Sequence, residues 1–165
     1  MALHLPRPSL VLLIGIAGSG KSTFAHKYFR PTEIVSSDAC RALVCDDEND
    51  QTATKAAFEL LHLIVTKRLA AGKLTVVDAT NLQARFRAPL LQLARQAGVP
   101  AVAIVLNVPE SVALSQNLGR TNRVVDLQVI RQQTEDLRKS LAELPTEGFA
   151  SVHVLSSQNE IEITA

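Results

Sequence analysis

The stretch Leu10-Val11-Leu12-Leu13-Ile14-Gly15-Ile16-Ala17-Gly18-Ser19-Gly20-Lys21-Ser22-Thr23 decides how this chain folds. Its first five residues are apolar without interruption, which suits a strand buried on both faces of a parallel sheet. The next eight match GxxxxGK[ST] in full and, with Thr23, lead into a helical pattern, so the motif sits in the strand–loop–helix context it requires. Its glycines let successive backbone N–H groups turn inward around a phosphate, and the helix N-terminus that follows adds partial positive charge. Gly15, Ala17, Gly18, Ser19, Gly20, Lys21, Ser22 and Thr23 are therefore the expected donor-phosphate residues. In such a loop the lysine, Lys21, reaches the β- and γ-phosphates, and Ser22 offers its hydroxyl to Mg²⁺. The ligand implied is ATP or another nucleoside triphosphate.

Outward from this loop, short apolar runs alternate with amphipathic stretches. Further runs are Ile34–Val35, Thr75–Val77, Val102–Leu106 and Val152–Leu155. Between them, Ala53, Ala56, Ala57, Leu60, Leu61 and Ile64 follow helical spacing, with Gly72 as a stop. Leu90, Leu91, Ala94 and Ala97 do the same before Gly98, as do Leu127, Ile130, Thr134, Leu137 and Leu141 before Pro145. Strands alternating with helices predict an α/β fold: a central parallel sheet of about five strands flanked by helices.

The chain has 165 residues, 47% apolar and 20% charged, which suits one globular domain over 1–165 and excludes disordered, collagenous and coiled-coil classes. Its net charge of +1 offers no overall basic field. That figure hides an uneven spread: +4 over residues 1–32, −5 over 33–59, +5 over 60–100 and −3 over 101–165. Two cysteines, Cys40 and Cys45, are too few for a disulfide scaffold. No run is long enough to span a membrane, and no signal-peptide pattern is present, so the expected location is cytoplasmic.

A phosphate loop does not name a reaction; transfer also needs acceptor-side groups. Asp38 follows the second predicted strand, at the sheet edge where ligands of open parallel sheets sit. It reads either as a base for an attacking hydroxyl or as the cap of the next helix. Arg41 pairs with Asp38 at i,i+3 or grips an acceptor phosphate. Arg120 and Arg123 precede the long amphipathic helix, where they oppose its dipole and suit an incoming anion, or else are solvated. Asp78 ends the third strand at a Walker B position, orienting Mg²⁺ directly or through water, or caps the following segment. Asp46, Asp47, Glu48 and Asp50 read as a complement to a helix start. Arg85 and Arg87 read as solvated helix arginines or as contacts to an incoming strand.

GIAGSGKSTFAHKYF (15–29), SSDACRALVCDDENDQT (36–52), GKLTVVDATN (72–81) and GRTNRVVDLQVIRQQT (119–134) together resemble the kinase module of bacterial polynucleotide kinase-phosphatases, over about residues 8–157. The resemblance implies the P-loop kinase fold with a helical lid at about 115–143. It also implies transfer of a γ-phosphate to the 5′-OH end of RNA or DNA in nucleic-acid repair. By motif, Asp38 matches the general base and Arg41 the Asp-x-x-Arg element. Arg120 and Arg123 match lid arginines, with Arg123 on the γ-phosphate. The lid departs from the family pattern at Gln116 and Gly119, where a further arginine can stand. In that family the module is often fused to phosphatase and ligase modules, which are then expected partners. Competing readings are a small-metabolite kinase, which the acidic segment around Asp38 favours, and a non-catalytic nucleotide sensor.

Overall fold

A computed structural model describes residues 1–120, 124–156 and 161–164. All five predicted strands form. They are β2 (Leu10–Ile14), β3 (Ile34–Ser36), β4 (Thr75–Asp78), β5 (Ala101–Leu106) and β6 (Ser151–Leu155), in the parallel order β3-β4-β2-β5-β6. β2 lies at the centre, and all five of its side chains are buried. Each is worth about 1.5–3 kcal/mol relative to exposure. Strand periodicity divides them between two cores. Leu10, Leu12 and Ile14 face one cluster; Val11 and Leu13 face the other.

The helices are α1 (Lys21–Tyr28), α2 (Ser37–Cys45), α3 (Thr54–Ala70), α4 (Ala84–Ala97), α5 (Glu110–Leu118) and α6 (Leu127–Glu143). The chain passes from β2 over β4 to β3 and then returns to β4. Right-handed crossovers therefore put α1 and α3 on opposite faces. Phe24, Ala25 and Phe29 fill the α1 side. Leu61 and Val65 of α3, Leu90 and Ala94 of α4, and Ile130 and Leu137 of α6 fill the other. Gly72 and Gly98 end their helices with positive φ, as the sequence predicts. α6 ends at Glu143, just before Pro145 as the sequence predicts, and the chain runs on into a 3-10 turn over Leu144–Thr146.

Two short strands were not expected. β1 (Ala2–His4) and β7 (Glu162–Thr164) pair in parallel as a separate ribbon. Leu3 and Leu5 are fully buried against the α1 side of the sheet and close that core. Cys40 is buried, and desolvation pushes its thiol pKa up, as suits a packed thiol outside redox chemistry. Among the described residues, no helix is long and apolar enough to cross a membrane.

Candidate active site

Strand register places the chemistry. Leu13 and Ser36 each pair with Asp78, so the ends of β2, β4 and β3 form one row. At about 4.8 Å between strands, that row is roughly 10 Å long. The phosphate loop leaves one end of it and Asp38 leaves the other.

The loop is held by several elements. The Gly15 N–H donates to Thr80 O at 3.1 Å, and Asn81 Nδ2 donates to Leu13 O at 2.7 Å. The Ala17 N–H donates to Gln133 Oε1 of α6 at 2.8 Å, so this expected phosphate donor has a competing acceptor. Ser19 is buried, and its hydroxyl is left without a partner. Gly20 caps α1 at φ +92°. Lys21 Nζ donates to Gly15 O and Ile16 O, both at 2.9 Å, which holds the ammonium over the loop. Ser22 Oγ donates to Asp78 Oδ2 at 2.7 Å. A hydroxyl beside a carboxylate is an all-oxygen pair of the kind Mg²⁺ takes along with phosphates and waters, so these residues fit that ion.

Gly18 has no room for a side chain. Its φ is +79°, and a Cβ would stand 2.2 Å from Ala113 O of α5. Gly18→Ala is expected to displace the loop and weaken ATP binding by at least about tenfold, since left-handed backbone alone costs roughly 1–2 kcal/mol. Titration calorimetry against wild type checks this; unchanged affinity would show that α5 yields freely.

Gly18, Gly20, Lys21, Ser22 and Thr23 line a cleft of about 430 Å³ together with Gln116, Gly119 and Arg120. Arg120 is thus brought to the phosphate loop, whereas Arg123 lies outside the described residues. The described residues on either side of 121–123 are joined by two bonds. Asn117 Nδ2 donates to Val125 O at 2.8 Å, and the Val125 N–H donates to Asn117 Oδ1 at 2.9 Å. The expected lid span also includes α6, whose Ile130 and Leu137 are packed into the core.

On the acceptor side, Ser36 rather than Asp38 caps α2, by accepting from the Ala39 N–H at 3.2 Å. That removes the capping reading of Asp38. Arg41 Nη1 donates to Asp38 Oδ1 at 2.7 Å and to Glu48 O at 3.1 Å. The arginine side chain is 5% exposed and the aspartate 30%, so a buried guanidinium orients a carboxylate that still reaches solvent. In the acidic run, Asp50 caps the turn over Gln51–Ala53, as the helix-start reading expects, and Asp46 ends α2 with φ +62°. Among the described residues, no cluster with metal-binding composition is found.

Arg87 corrects the sequence reading. It is neither solvated nor free for an incoming strand. Fully buried, it forks onto Glu147 and donates to Asn81 O and Ser140 Oγ, both at 2.8 Å. It thereby ties the segment after β4 to α6 and the turn beyond it. Arg85 is exposed and lies 4.7 Å over the Phe86 ring. Asn81, Asn117 and Gln133 were given no role of their own in the sequence, since each acts through a contact made only in the fold.

Comparison with known proteins agrees with this geometry. A chain of the Pnkp1/Rnl/Hen1 RNA repair complex superposes with a TM-score of 0.72 at 20% identity, covering 84% of this chain and 47% of that one. A gluconokinase from Sinorhizobium meliloti 1021 gives 0.57 at 19% identity, covering 94% and 86%. The likeness lies in the fold, a parallel sheet flanked by helices. Transcription factor bHLH140 of Arabidopsis thaliana is 32% identical over 160 residues, covering 93% of this chain but only 16% of that protein's length. The AAA_33 family, described as an AAA domain, matches residues 10–144, and the chain belongs to it.

Proposed function

We propose that this chain transfers the γ-phosphate of ATP, or of another nucleoside triphosphate, to the 5′-hydroxyl end of an RNA or DNA strand. The observation that carries the reading is the Arg41-anchored Asp38 across one row of strand ends from the phosphate loop. The likeness to a chain of an RNA repair complex supports it.

In this mechanism the loop's backbone N–H groups and Lys21 hold the β- and γ-phosphates. The acceptor oxygen attacks the γ-phosphorus in line, the bond to the β–γ bridging oxygen breaks, and the nucleoside diphosphate leaves. Asp38 accepts the hydroxyl proton, with Arg41 fixing its direction. Arg120, with Arg123, neutralises charge spread over the transferring group. Ser22 and Asp78 would hold Mg²⁺, which supplies charge neutralisation on the phosphates when bound. The work belongs to end healing in nucleic-acid repair, beside phosphatase and ligase modules, in the cytoplasm, where Cys40 and Cys45 stay reduced.

Incubation with γ-labelled ATP and a 5′-OH oligonucleotide is expected to label the oligonucleotide. ATP binding without label transfer would overturn the reading. A second reading rests on the acidic loop over 46–50, which reaches Arg41 through Glu48 O and would repel a polyanion. On that reading the acceptor is a small uncharged alcohol, and label appears on nucleosides or sugars instead.

A further inference from the structure

The two basic stretches of the sequence, residues 1–32 and 60–100, meet in space at the edge of the sheet opposite the phosphate loop. There Arg7, Arg30, Thr32, Glu33, Arg68 and Lys73 line an open cleft of about 430 Å³ beside the starts of β2, β3 and β4. Four cations face a single carboxylate. Glu33 is already committed: it accepts from Arg7 Nη1 at 3.0 Å and from the Arg30 N–H at 2.9 Å. Burial works against its charged form. The backbone bond from Arg30, the bond from Arg7 and both positive charges outweigh that, and hold its pKa below the ordinary value. Arg30, Arg68 and Lys73 have no carboxylate partner among the described residues. Arg68 spends Nη2 on Leu74 O at 2.8 Å, while its buried Nε has no partner.

A solvated surface would scatter such charges or interleave carboxylates. Here the cations come from three separate segments and converge across three strand starts, a span of roughly 10 Å. That is wider than one phosphate. The lining carries no aromatic ring on which a base could stack.

We propose that this cleft is a second phosphate-binding site, separate from the phosphate loop, which takes a run of two or more linked phosphates without reading bases. Two sources share that chemistry: the backbone of a nucleic-acid strand and a free polyphosphate. The site stands apart from the kinase reading, because no residue of either catalytic edge contributes to it.

The test measures binding of a 5′-phosphorylated single-stranded oligonucleotide, which carries no acceptor hydroxyl, and of tripolyphosphate. Excess ADP is present to occupy the phosphate loop. Lys73→Glu and Arg68→Gln are compared with wild type alone and together; Lys73 is exposed and its side chain makes no bond, so its variant keeps the fold. The double variant is expected to bind at least about tenfold more weakly at low salt. For the oligonucleotide, the log–log salt slope should fall by about 1.4, from roughly 0.7 per lost single-strand contact. Loss for the oligonucleotide alone identifies a strand as the source, and loss for both probes identifies any linked phosphate. If wild type and Lys73→Glu bind both probes within twofold of each other and with equal salt slopes, the site does not exist. Label transfer is read separately and can fail or succeed without altering this result.

Discussion

Asp38→Asn is expected to slow phosphoryl transfer by about 10²- to 10⁴-fold, the range that a positioned general base supplies. Asparagine keeps a side-chain oxygen for Arg41, so the buried guanidinium retains its partner at the 2.7 Å position seen here. Alanine would instead strip a 5%-exposed arginine of the carboxylate it donates to, mixing loss of the base with local collapse. Ser36 caps α2 in either variant, so the helix start is unaffected. Single-turnover label transfer measures the rate, and calorimetry measures ATP affinity. Affinity should stay within about twofold, because Asp38 lies across the strand row from the loop. A rate within tenfold of wild type would remove Asp38 from the role of base.

Arg87→Met is expected to lower stability by about 3–5 kcal/mol, the range for breaking a buried ion pair from one side. The loss follows from what remains: a Glu147 carboxylate that is 14% exposed, and Asn81 O and Ser140 Oγ without their donor. For a domain of this size each kcal/mol shifts Tm by roughly 2–4 °C, so the midpoint should fall by about 6–20 °C. The double variant Arg87→Met/Glu147→Met should recover much of that, since an apolar pair of similar volume avoids the stranded charge. Thermal unfolding of the two variants separates the explanations: no recovery in the double variant would place the loss in the bonds to Asn81 and Ser140.

The sheet was legible because its strands carry short apolar runs, unbroken and fully buried in the central β2 and β5. The phosphate loop was legible because glycine, lysine and serine occur there at fixed spacing. β1 and β7 were not, since three-residue strands with His4, Glu162 and Thr164 at alternate positions carry almost no apolar signal. Arg87 misled because a charged residue in an amphipathic helix reads as exposed. Its burial is set by Glu147, sixty residues downstream. That Ser36 caps α2 and Asp38 does not depends on where β3 ends, which periodicity leaves uncertain by about two to four residues.

The β1–β7 ribbon has a topological consequence. Ala2 stands opposite Glu162 and His4 opposite Thr164, so the first and last described segments are neighbours rather than opposite poles. Parallel pairing offsets the outer ends by only the length of a short strand, roughly 10 Å. A unit built this way can be spliced into a surface loop of a host protein, or re-joined end to end with a tether of about five residues, at small loop-closure entropy.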